Sequence, residues 1–584
     1  MPAEQKTHAR LDLLLAVLLC AGVFLFAHWE AFSNEYVIND DVRQQVYWMQ
    51  QWRDPGLFQN DILTDYARRY TSWGVQAVYR AAAPFVDPIL FSKILSGVLF
   101  SALGGILFLL GRALGDRKLA WSTLCAYLLF PFFLNRISGG LARAFAEPFL
   151  ALYALLWLRG RPWAMGVCLA LMALFIPYIA LLAAGASLTA WGLSIVRLAP
   201  KQAFLRHPAH WLFLAAAGAV MYLFSAHLQQ GGFGPLASVA DMAGKPEFAS
   251  LGRYPVLPSE PLWPELLRPW RFLAAVESGG LLLGPPVALL LTLAAGYGLF
   301  RVPWRSLKPH LPLFLSLALA SVFLFFAAKI LLLKLFVPSR YVRYSIALAF
   351  CLAMALGLRG ALANRFRSPA ACVAAVLLVA AVSAVRLQGE ALKDFSLDAD
   401  LYAAVQETPK TALFAGHPYQ MDNLATFGQR SVLVSFELAH PWSNGLWNTL
   451  KPRLTDFFNA YYASDIETVR AFCQKYRVDF LVVDDRHFTP AFLNNTYGRV
   501  PVCEALRMPG FLRSWCSGLG MTKTVSWPNE FQRTIPGPRP FFEPFGQAVS
   551  RLASDRAGFA LLNQTLFPEH RVNEHIRILD VQAP

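Results

Sequence analysis

Apolar runs long enough to cross a lipid bilayer constrain this sequence more than any other feature. A transmembrane helix needs roughly 20 apolar residues, because the hydrocarbon core is about 30 Å thick. Only 15% of the residues are charged, whereas a soluble protein needs roughly a quarter. We therefore predict a polytopic α-helical membrane bundle and exclude a soluble enzyme. About 11 transmembrane helices are expected, at residues 11–28, 89–111, 119–135, 145–158, 163–177, 178–196, 210–228, 279–300, 311–328, 341–358 and 369–386.

Two of these assignments rest on local signals. The apolar stretch 163–196 is too long for one span, so we expect it to fold back as a hairpin at Pro177. The first span could be a signal peptide, but His28 and Trp29 occupy the place where a small-residue cleavage site would lie. We expect this span to be retained, and an odd number of spans then puts the two termini on opposite sides of the membrane.

The net charge of +15 is concentrated in short loops. With the N-terminus inside, these inner segments carry most of the excess Lys and Arg and few acidic residues. Short basic loops stay in the cytoplasm. The charge therefore predicts a cytoplasmic N-terminus, and it needs no nucleic-acid partner to explain it.

Three longer segments, 29–88, 229–275 and 387–584, face the exterior in this topology. We expect a transmembrane domain over residues 1–386, which includes the first two segments as exterior loops. The loop 229–275 is rich in Gly and Pro, which favours an irregular, lid-like segment. Residues 387–584 are long enough to form a separate exterior domain.

The C-terminal region alternates between strand and helix patterns. Segments 411–416, 430–438 and 478–484 have strand patterns, and 465–476 has a helix pattern that begins after Asp465. This order predicts a C-terminal α/β exterior domain. Cys503 and Cys516 could form a disulfide on an oxidising side of the membrane, whereas Cys473 lies within the predicted helix and is expected to be free.

An acidic pair, Asp40 and Asp41, follows the first span directly. On a helix, Asp41, Gln45 and Trp48 share one face, which predicts an amphipathic helix along the membrane surface. Two adjacent carboxylates raise each other's pKa, so a metal ion, an arginine or a catalytic role would have to stabilise them. The alternative is that the pair only favours a helix N-terminus.

Two further groups of charged residues lie at predicted exterior ends of spans. Arg143 and Glu147 come at the start of the fourth span, where Glu147 either faces a cavity or is a helix N-terminal charge. Lys329, Arg340 and Arg343 lie later, around a Pro-containing turn, on the side where the positive-inside rule would not place them. They either contact lipid phosphates by snorkelling or bind a phosphate group of a substrate.

The stretches "NDDVRQQVYW" and "VPSRYVRY", together with the many spans and the exterior tail, resemble membrane glycosyltransferases of the GT-C superfamily. The stretch "DIETVRAFCQKYRVDFLVVDD" is also similar to exterior-domain sequence of bacterial members. The resemblance implies a GT-C-like fold in a bacterial inner membrane, with the C-terminal domain in the periplasm. It also implies an inverting transfer from a polyprenyl phosphate or diphosphate sugar to a glycan, lipid or protein acceptor.

The resemblance also implies roles for individual residues. Asp40 or Asp41 would be the general base, and Glu147 would assist it. A divalent ion, Mg²⁺ or Mn²⁺, could bridge Asp41 and Glu147. The donor phosphate would contact four basic residues: Arg340, Arg343, Arg143 and Lys329.

The sequence departs from the family in ways that leave the acceptor open. It lacks the WWD-type triad of oligosaccharyltransferases, and its acidic pair is Asp-Asp where protein mannosyltransferases carry Asp-Glu. Three alternatives also remain: a transporter or flippase, a polymerase or ligase of another superfamily that uses lipid-linked glycans, and a scaffold that displays the exterior domain.

Overall fold

We describe the fold from a computed structural model of the chain. The described residues are 3–198, 203–248, 254, 261–274, 284–302, 304–362, 368–488, 499–501, 522–524 and 558–582. Cys503 and Cys516, and with them the predicted disulfide, lie outside this set.

Helices make up most of the described structure. In the first half of the chain they are α1 (Ala3–Ala27), α2 (Trp29–Ser33), α3 (Val42–Gln45), α4 (Ile62–Tyr70), α5 (Trp73–Ala82), α6 (Pro88–Leu114), α7 (Arg117–Leu128), α8 (Pro131–Ile137), α9 (Ala146–Leu158), α10 (Pro162–Phe175), α11 (Pro177–Ile195), α12 (Pro208–Gln229), α13 (Val239–Met242) and α14 (Leu262–Leu273). They continue with α15 (Gly284–Leu299), α16 (Trp304–Leu307), α17 (Leu311–Ile330), α18 (Ser339–Leu362), α19 (Pro369–Arg386), α20 (Ala399–Gln406), α21 (Pro418–Asn423), α22 (Asn444–Tyr461) and α23 (Ile466–Tyr476).

The predicted polytopic helical bundle is confirmed. Within the described residues, six helices are long and apolar enough to cross a membrane: His8–Ala27, Pro88–Leu114, Pro177–Ile195, Pro208–Gln229, Lys308–Ile330 and Ser339–Ala361. Three shorter apolar helices cover further predicted spans: Pro162–Phe175, Ala288–Leu299 and Ala370–Arg386. The chain is therefore an integral membrane protein, while its orientation stays a prediction.

Prolines set several of the helix boundaries. The predicted hairpin at Pro177 is present, because α10 ends at Phe175 and α11 begins at Pro177. The predicted third span is interrupted before Pro131, which starts the short helix α8. Proline has no backbone N–H to donate and fixes its own φ, so it starts a helix more readily than it continues one.

Helix α18 packs against α7, α15 and α17. At its contact with α15, a Cβ atom on Gly357 would lie 2.2 Å from the carbonyl oxygen of Ala295. The two helices thus approach backbone to backbone, which only small residues allow. This contact fixes the helix that carries Arg340 and Arg343.

The C-terminal region contains a mixed five-stranded sheet. Its strands are β3 (Leu413–Ala415), β4 (Ser431–Val432), β5 (Phe480–Asp484), β8 (Glu569–Arg571) and β9 (Ile576–Asp580), and their order in the sheet is β4-β3-β5-β9-β8. Strand β3 pairs in parallel with both β4 and β5, whereas β9 runs antiparallel to β5 and β8. The predicted α/β fold of the C-terminal region is thereby confirmed, while its position on the exterior side stays a prediction. Two further pairs of strands lie among the described residues. They are β1 (Val37–Ile38) with β2 (Lys393–Asp394), and β6 (Arg499–Pro501) with β7 (Thr522–Thr524).

The start of the first exterior loop is joined to the segment that follows the last apolar helix. Strand β1 pairs antiparallel with β2, so that Ile38 lies opposite Lys393. In the residues that precede these two strands, the backbone N–H of Gly389 donates to the carbonyl oxygen of Ala27 at 3.0 Å. This junction brings residues 39–41 next to residues 391–393, far apart in sequence.

Three local predictions were wrong. The loop 229–275, expected to be irregular, contains the helices α13 and α14 within its described residues. The expected amphipathic surface helix after Asp41 is instead two short pieces, α3 and a 3₁₀ turn at Tyr47–Trp52, and its residues are mostly buried. They pack against the C-terminal region, where Gln44 contacts Glu437 and His440. The periodicity of the sequence could not predict this contact, because the two partners lie nearly 400 residues later in the chain. The expected strand 430–438 shortens to Ser431–Val432, since the residues after it turn to meet this loop.

Candidate functional site

Asp41, one of the two predicted acids, forms an ion pair with Arg143. Asp41 stands at the N-cap position of α3, although its side chain accepts no capping hydrogen bond. Its carboxylate is 30% exposed, so it is accessible from one side. Arg143 also donates from Nη2 to the Oδ1 atom of Asn39, at 2.9 Å. The structure therefore brings together two of the residues that the sequence analysis selected.

Arg143 belongs to a larger cluster that we call the arginine cluster: Arg136, Arg143 and Arg340. Glu147 lies among all three and is within electrostatic range of each. Glu147 is fully buried, and neither carboxylate oxygen accepts a hydrogen bond from another described residue. The cluster thus joins the predicted acid at the start of α9 to one of the two predicted arginines of α18.

Several buried nitrogen atoms of the arginine cluster have no hydrogen-bond partner in the described part of the chain. These are Nε and Nη1 of Arg340, and Nε of both Arg136 and Arg143. A buried polar group without a partner is costly, and a buried guanidinium group especially so. An anion placed between these groups would satisfy them.

Two tyrosines form one wall of the arginine cluster. The hydroxyl groups of Tyr178 and Tyr344 lie 3.0 Å apart, and Arg136 donates to Tyr344 Oη at 3.2 Å. Arg340 is within electrostatic range of both tyrosines and of Tyr70 in the first exterior loop. These contacts connect α11, α18 and the first loop around the guanidinium groups.

The other predicted basic residues have different neighbours. Arg343 donates from Nε and Nη2 to the two carboxylate oxygens of Glu265, at 3.0 and 2.9 Å. The same carboxylate accepts two hydrogen bonds from Arg268, so α14 is tied to α18. Lys329 is half-buried, with its Nζ atom 5.8 Å from the centre of the Phe325 ring. In this arrangement the guanidinium of Arg343 is engaged by a carboxylate, whereas Arg340 keeps its Nε and Nη1 atoms without a partner among the described residues.

The other predicted acid, Asp40, lies in a separate group of residues around Arg43, which we call the Arg43 cage. Its carboxylate forms ion pairs with Arg43 and with Lys393. Burial alone would raise the pKa of Asp40, but the charges of Arg43 and Lys393 and their hydrogen bonds hold it well below its ordinary value. Asp40 is therefore a poor proton acceptor.

The C-terminal domain encloses Arg43 itself. Its guanidinium carbon lies 4.4 Å from the centres of the Phe395 and Tyr419 rings. Nη1 donates to Oδ1 of Asn423 at 2.8 Å, and Nη2 approaches Glu437 at 3.5 Å. Arg43 is 1% exposed and therefore anchors the first exterior loop to the C-terminal domain.

The described residues do not fit a divalent metal ion as they stand. No group of three or more His, Cys, Asp and Glu side chains among them could hold one. Asp41 is paired with Arg143, and Glu147 lies among three cationic groups, which would repel a second cation. The residues predicted to bind the metal are thus surrounded by positive charge.

Sequence reasoning missed several residues of this region. Arg43 follows Asp40 at the i, i+3 spacing of a helical ion pair, which was a usable signal. Lys393 and Asn39 carried none, because their contacts depend on the junction between the two ends of the membrane region. Tyr344 was not assigned to the site from the sequence.

No family model matches the sequence, and no curated protein matches it. Solved structures do. The AglB oligosaccharyltransferase from Archaeoglobus fulgidus, in complex with an inhibitory peptide and a dolichol-phosphate, is 13% identical and has a TM-score of 0.48, with 84% of this chain and 71% of that one covered. The same archaeal oligosaccharyltransferase in complex with Zn and sulfate is 14% identical over 83% of this chain and 69% of that one, with a TM-score of 0.43.

A further match is ArnT from Cupriavidus metallidurans in the apo state, which is 12% identical over 79% of this chain and 92% of that one, with a TM-score of 0.41. AglB and ArnT are GT-C membrane glycosyltransferases. Because these TM-scores lie below 0.5, we base the proposed function on the residues of this chain.

Proposed function

We propose that this protein is a membrane glycosyltransferase. It transfers a sugar from a polyprenyl phosphate or diphosphate to an acceptor hydroxyl on the outer face of the membrane. The observation that carries the proposal is the arginine cluster beside Asp41: buried guanidinium groups with unpartnered N–H atoms, next to an accessible carboxylate. This is the combination that a phosphate leaving group and a nucleophilic hydroxyl require.

The arginine cluster supplies the phosphate site. Guanidinium N–H groups match phosphate oxygens in geometry and charge. Nε and Nη1 of Arg340 would donate to the phosphate, and Arg143 would lie between the phosphate and Asp41. These donors would stabilise the negative charge that develops as the glycosyl–oxygen bond breaks. Arg343 and Lys329 were predicted in the same role, and for Arg343 that role requires release from Glu265.

Asp41 is the general base in this proposal. The acceptor hydroxyl gives its proton to Asp41 while its oxygen attacks the anomeric carbon. The electron pair of the breaking carbon–oxygen bond leaves with the phosphate on the opposite face, so the configuration inverts. Asp40 is less suited, because two cations hold its carboxylate. No step here depends on a divalent ion, because the described residues around Asp41 and Glu147 do not fit one as they stand.

A transfer assay tests the proposal. The purified protein in lipid nanodiscs would receive a panel of radiolabelled polyprenyl-phosphate hexoses and pentoses, with membranes of the source cell as acceptor. We expect Asp41→Asn to lose transfer by about 10³-fold at unchanged protein level, since general base catalysis contributes roughly 10²–10⁴-fold. Asp65→Asn, an exposed acid of the same loop, should stay within twofold. Transfer at the wild-type rate by Asp41→Asn would disprove this assignment.

A further inference from the structure

We propose that Asn39 is a positioning residue that holds the Asp41 carboxylate and the Arg143 guanidinium in register with each other. This inference rests on the proposed function, because it assigns the residue that keeps the proposed base and the proposed phosphate ligand in place. Asn39 contacts neither substrate in this account, and it acts through its two neighbours.

The Asn39 side chain is 5% exposed and joins three parts of the chain. Its Oδ1 atom accepts from Arg143 Nη2 at 2.9 Å and from the backbone N–H of Asp41 at 3.2 Å. Its Nδ2 atom donates to the carbonyl oxygen of Ala391 at 2.9 Å. One amide group thus binds the backbone of the base, the side chain of its arginine partner and the segment after the last apolar helix.

A glycine turn holds Asn39 from the other side. Gly139 has φ +93°, and a Cβ atom added there would lie 3.0–3.1 Å from Cβ, Cγ and Oδ1 of Asn39. Gly140 follows with φ +60°. Tyr79 Oη is 3.3 Å from both glycine carbonyl oxygens, so its hydroxyl can donate to either. This turn follows the end of α8 at Ile137 and directs the chain into a 3₁₀ helix (Ala142–Phe145) that carries Arg143.

The amide therefore fixes a distance that the ion pair alone would leave variable. An ion pair between two partly exposed side chains tolerates many geometries, whereas hydrogen bonds to a buried amide restrict both partners. A reacting group displaced by about 1 Å can lose roughly 10²-fold in rate. Loss of Asn39 should consequently affect the chemical step more than donor binding.

Two substitutions at this position separate positioning from packing. Asn39→Leu keeps the side-chain size and removes all three hydrogen bonds. Asn39→Asp keeps the Oδ1 acceptor, replaces the donor to Ala391 by an oxygen and adds a negative charge beside Arg143. In the transfer assay we expect Asn39→Leu to lower kcat about 100-fold with the KM for donor within threefold. Asn39→Asp should recover kcat to within tenfold of wild type.

Two kinetic results would overturn the inference. The first is a kcat for Asn39→Leu within threefold of wild type. The second is an equal loss of kcat in both variants, which would mean that the Oδ1 atom at position 39 does not contribute to the rate.

A double-mutant cycle tests the inference without any assay of sugar transfer. Thermal unfolding midpoints would be measured for Asn39→Leu, Arg143→Met and the double variant in detergent. We expect the double variant to be destabilised less than the two single effects together, because both remove the same hydrogen bond. Additive shifts would overturn the inference even if the protein transfers sugar. Non-additive shifts in a protein that transfers no sugar would support the coupling and reject only the proposed function.

Discussion

The arginine cluster and the Arg43 cage both contain guanidinium groups with buried nitrogen atoms, yet they differ in how far the protein satisfies them. In the cage, Arg43 is stacked between two rings and donates to partners on the first loop and the C-terminal domain, so that among the described residues only its Nε atom is buried without a partner. In the cluster, Arg340 keeps two buried nitrogen atoms without a partner in the described residues. Buried polar groups are normally paired, so the first arrangement stabilises the fold and the second leaves room for an anion.

This difference separates the two adjacent acids, which looked equivalent in the sequence. Asp40 faces the cage and is neutralised there by Arg43 and Lys393. Asp41 faces the cluster and keeps an accessible side. The pair therefore joins the domain that anchors the loop to the site that we propose for chemistry.

The largest effect should come from Arg340, because its free donors define the arginine cluster. Arg340→Met should lower sugar transfer by about 10³-fold, which corresponds to roughly 4 kcal/mol of lost transition-state stabilisation. Rates of transfer per folded molecule check this. Arg343→Met is the matched control from the same helix, and we expect it to lower stability more than rate, since it leaves Glu265 with one partner fewer. The reverse order of the two rates would break the comparison.

Removing Arg43 should unfold the junction without touching the arginine cluster. Arg43→Met removes the buried cation that lies beside Asp40 and Glu437, and we expect a loss of about 3 kcal/mol in the free energy of unfolding. Denaturant titration in detergent measures it. The control, Arg470→Met, removes an exposed pair with Glu467 and should change stability by less than about 1 kcal/mol. A loss for Arg43→Met no larger than that of the control would mean that the cage is not an anchor.

Much of the bundle could be predicted from sequence, because the length of an apolar run is a local property. The break at Pro177 and the helix after Asp465 were local too, and Asp465 accepts the expected N-cap hydrogen bond from Thr468 at 2.8 Å. The separation of Asp40 from Asp41 could not be predicted. It depends on Lys393 and Glu437, which contact the loop only through the tertiary structure.

The pairing of Arg343 was also hidden in the sequence. Arg340 and Arg343 are three residues apart and looked like one clamp. Glu265 engages Arg343 from an exterior segment with no recognisable link to α18. Residues that share a helical face can still have different partners when a third element packs between them.

A pH measurement sharpens the description of the cage. Burial raises the pKa of Asp422 to about 7, against the lowering effect of the Arg43 charge and with a further increase from Glu437. Asp422 thus keeps its proton in the folded state while the unfolded chain loses it above about pH 4. Stability should therefore fall as the pH rises from about 4 to 7, by up to roughly 1.4 kcal/mol per unit.

The variant Asp422→Asn should flatten this slope, as seen in unfolding free energies across that pH range. Asp65→Asn, an exposed acid, should keep the wild-type slope. An unchanged slope in Asp422→Asn would show that this carboxyl is already ionised in the folded protein.

The smallest effect should come from Lys393. Its side chain is 45% exposed, and exposed ion pairs contribute roughly 0–1 kcal/mol. We expect Lys393→Ala to lower the unfolding free energy by less than about 1 kcal/mol, well below Arg43→Met. A loss as large as that of Arg43→Met would mean that Lys393 anchors the loop as strongly as Arg43 does, although Lys393 is exposed and Arg43 is buried.

The most direct test of the account is the position of a bound phosphate. A cryo-EM map of the protein in nanodiscs with polyprenyl phosphate would show it. The account predicts phosphate density within hydrogen-bond distance of Nε or Nη1 of Arg340 and beside the Asp41–Arg143 pair. Phosphate density at a site remote from Arg340, with the arginine cluster unchanged, would contradict it.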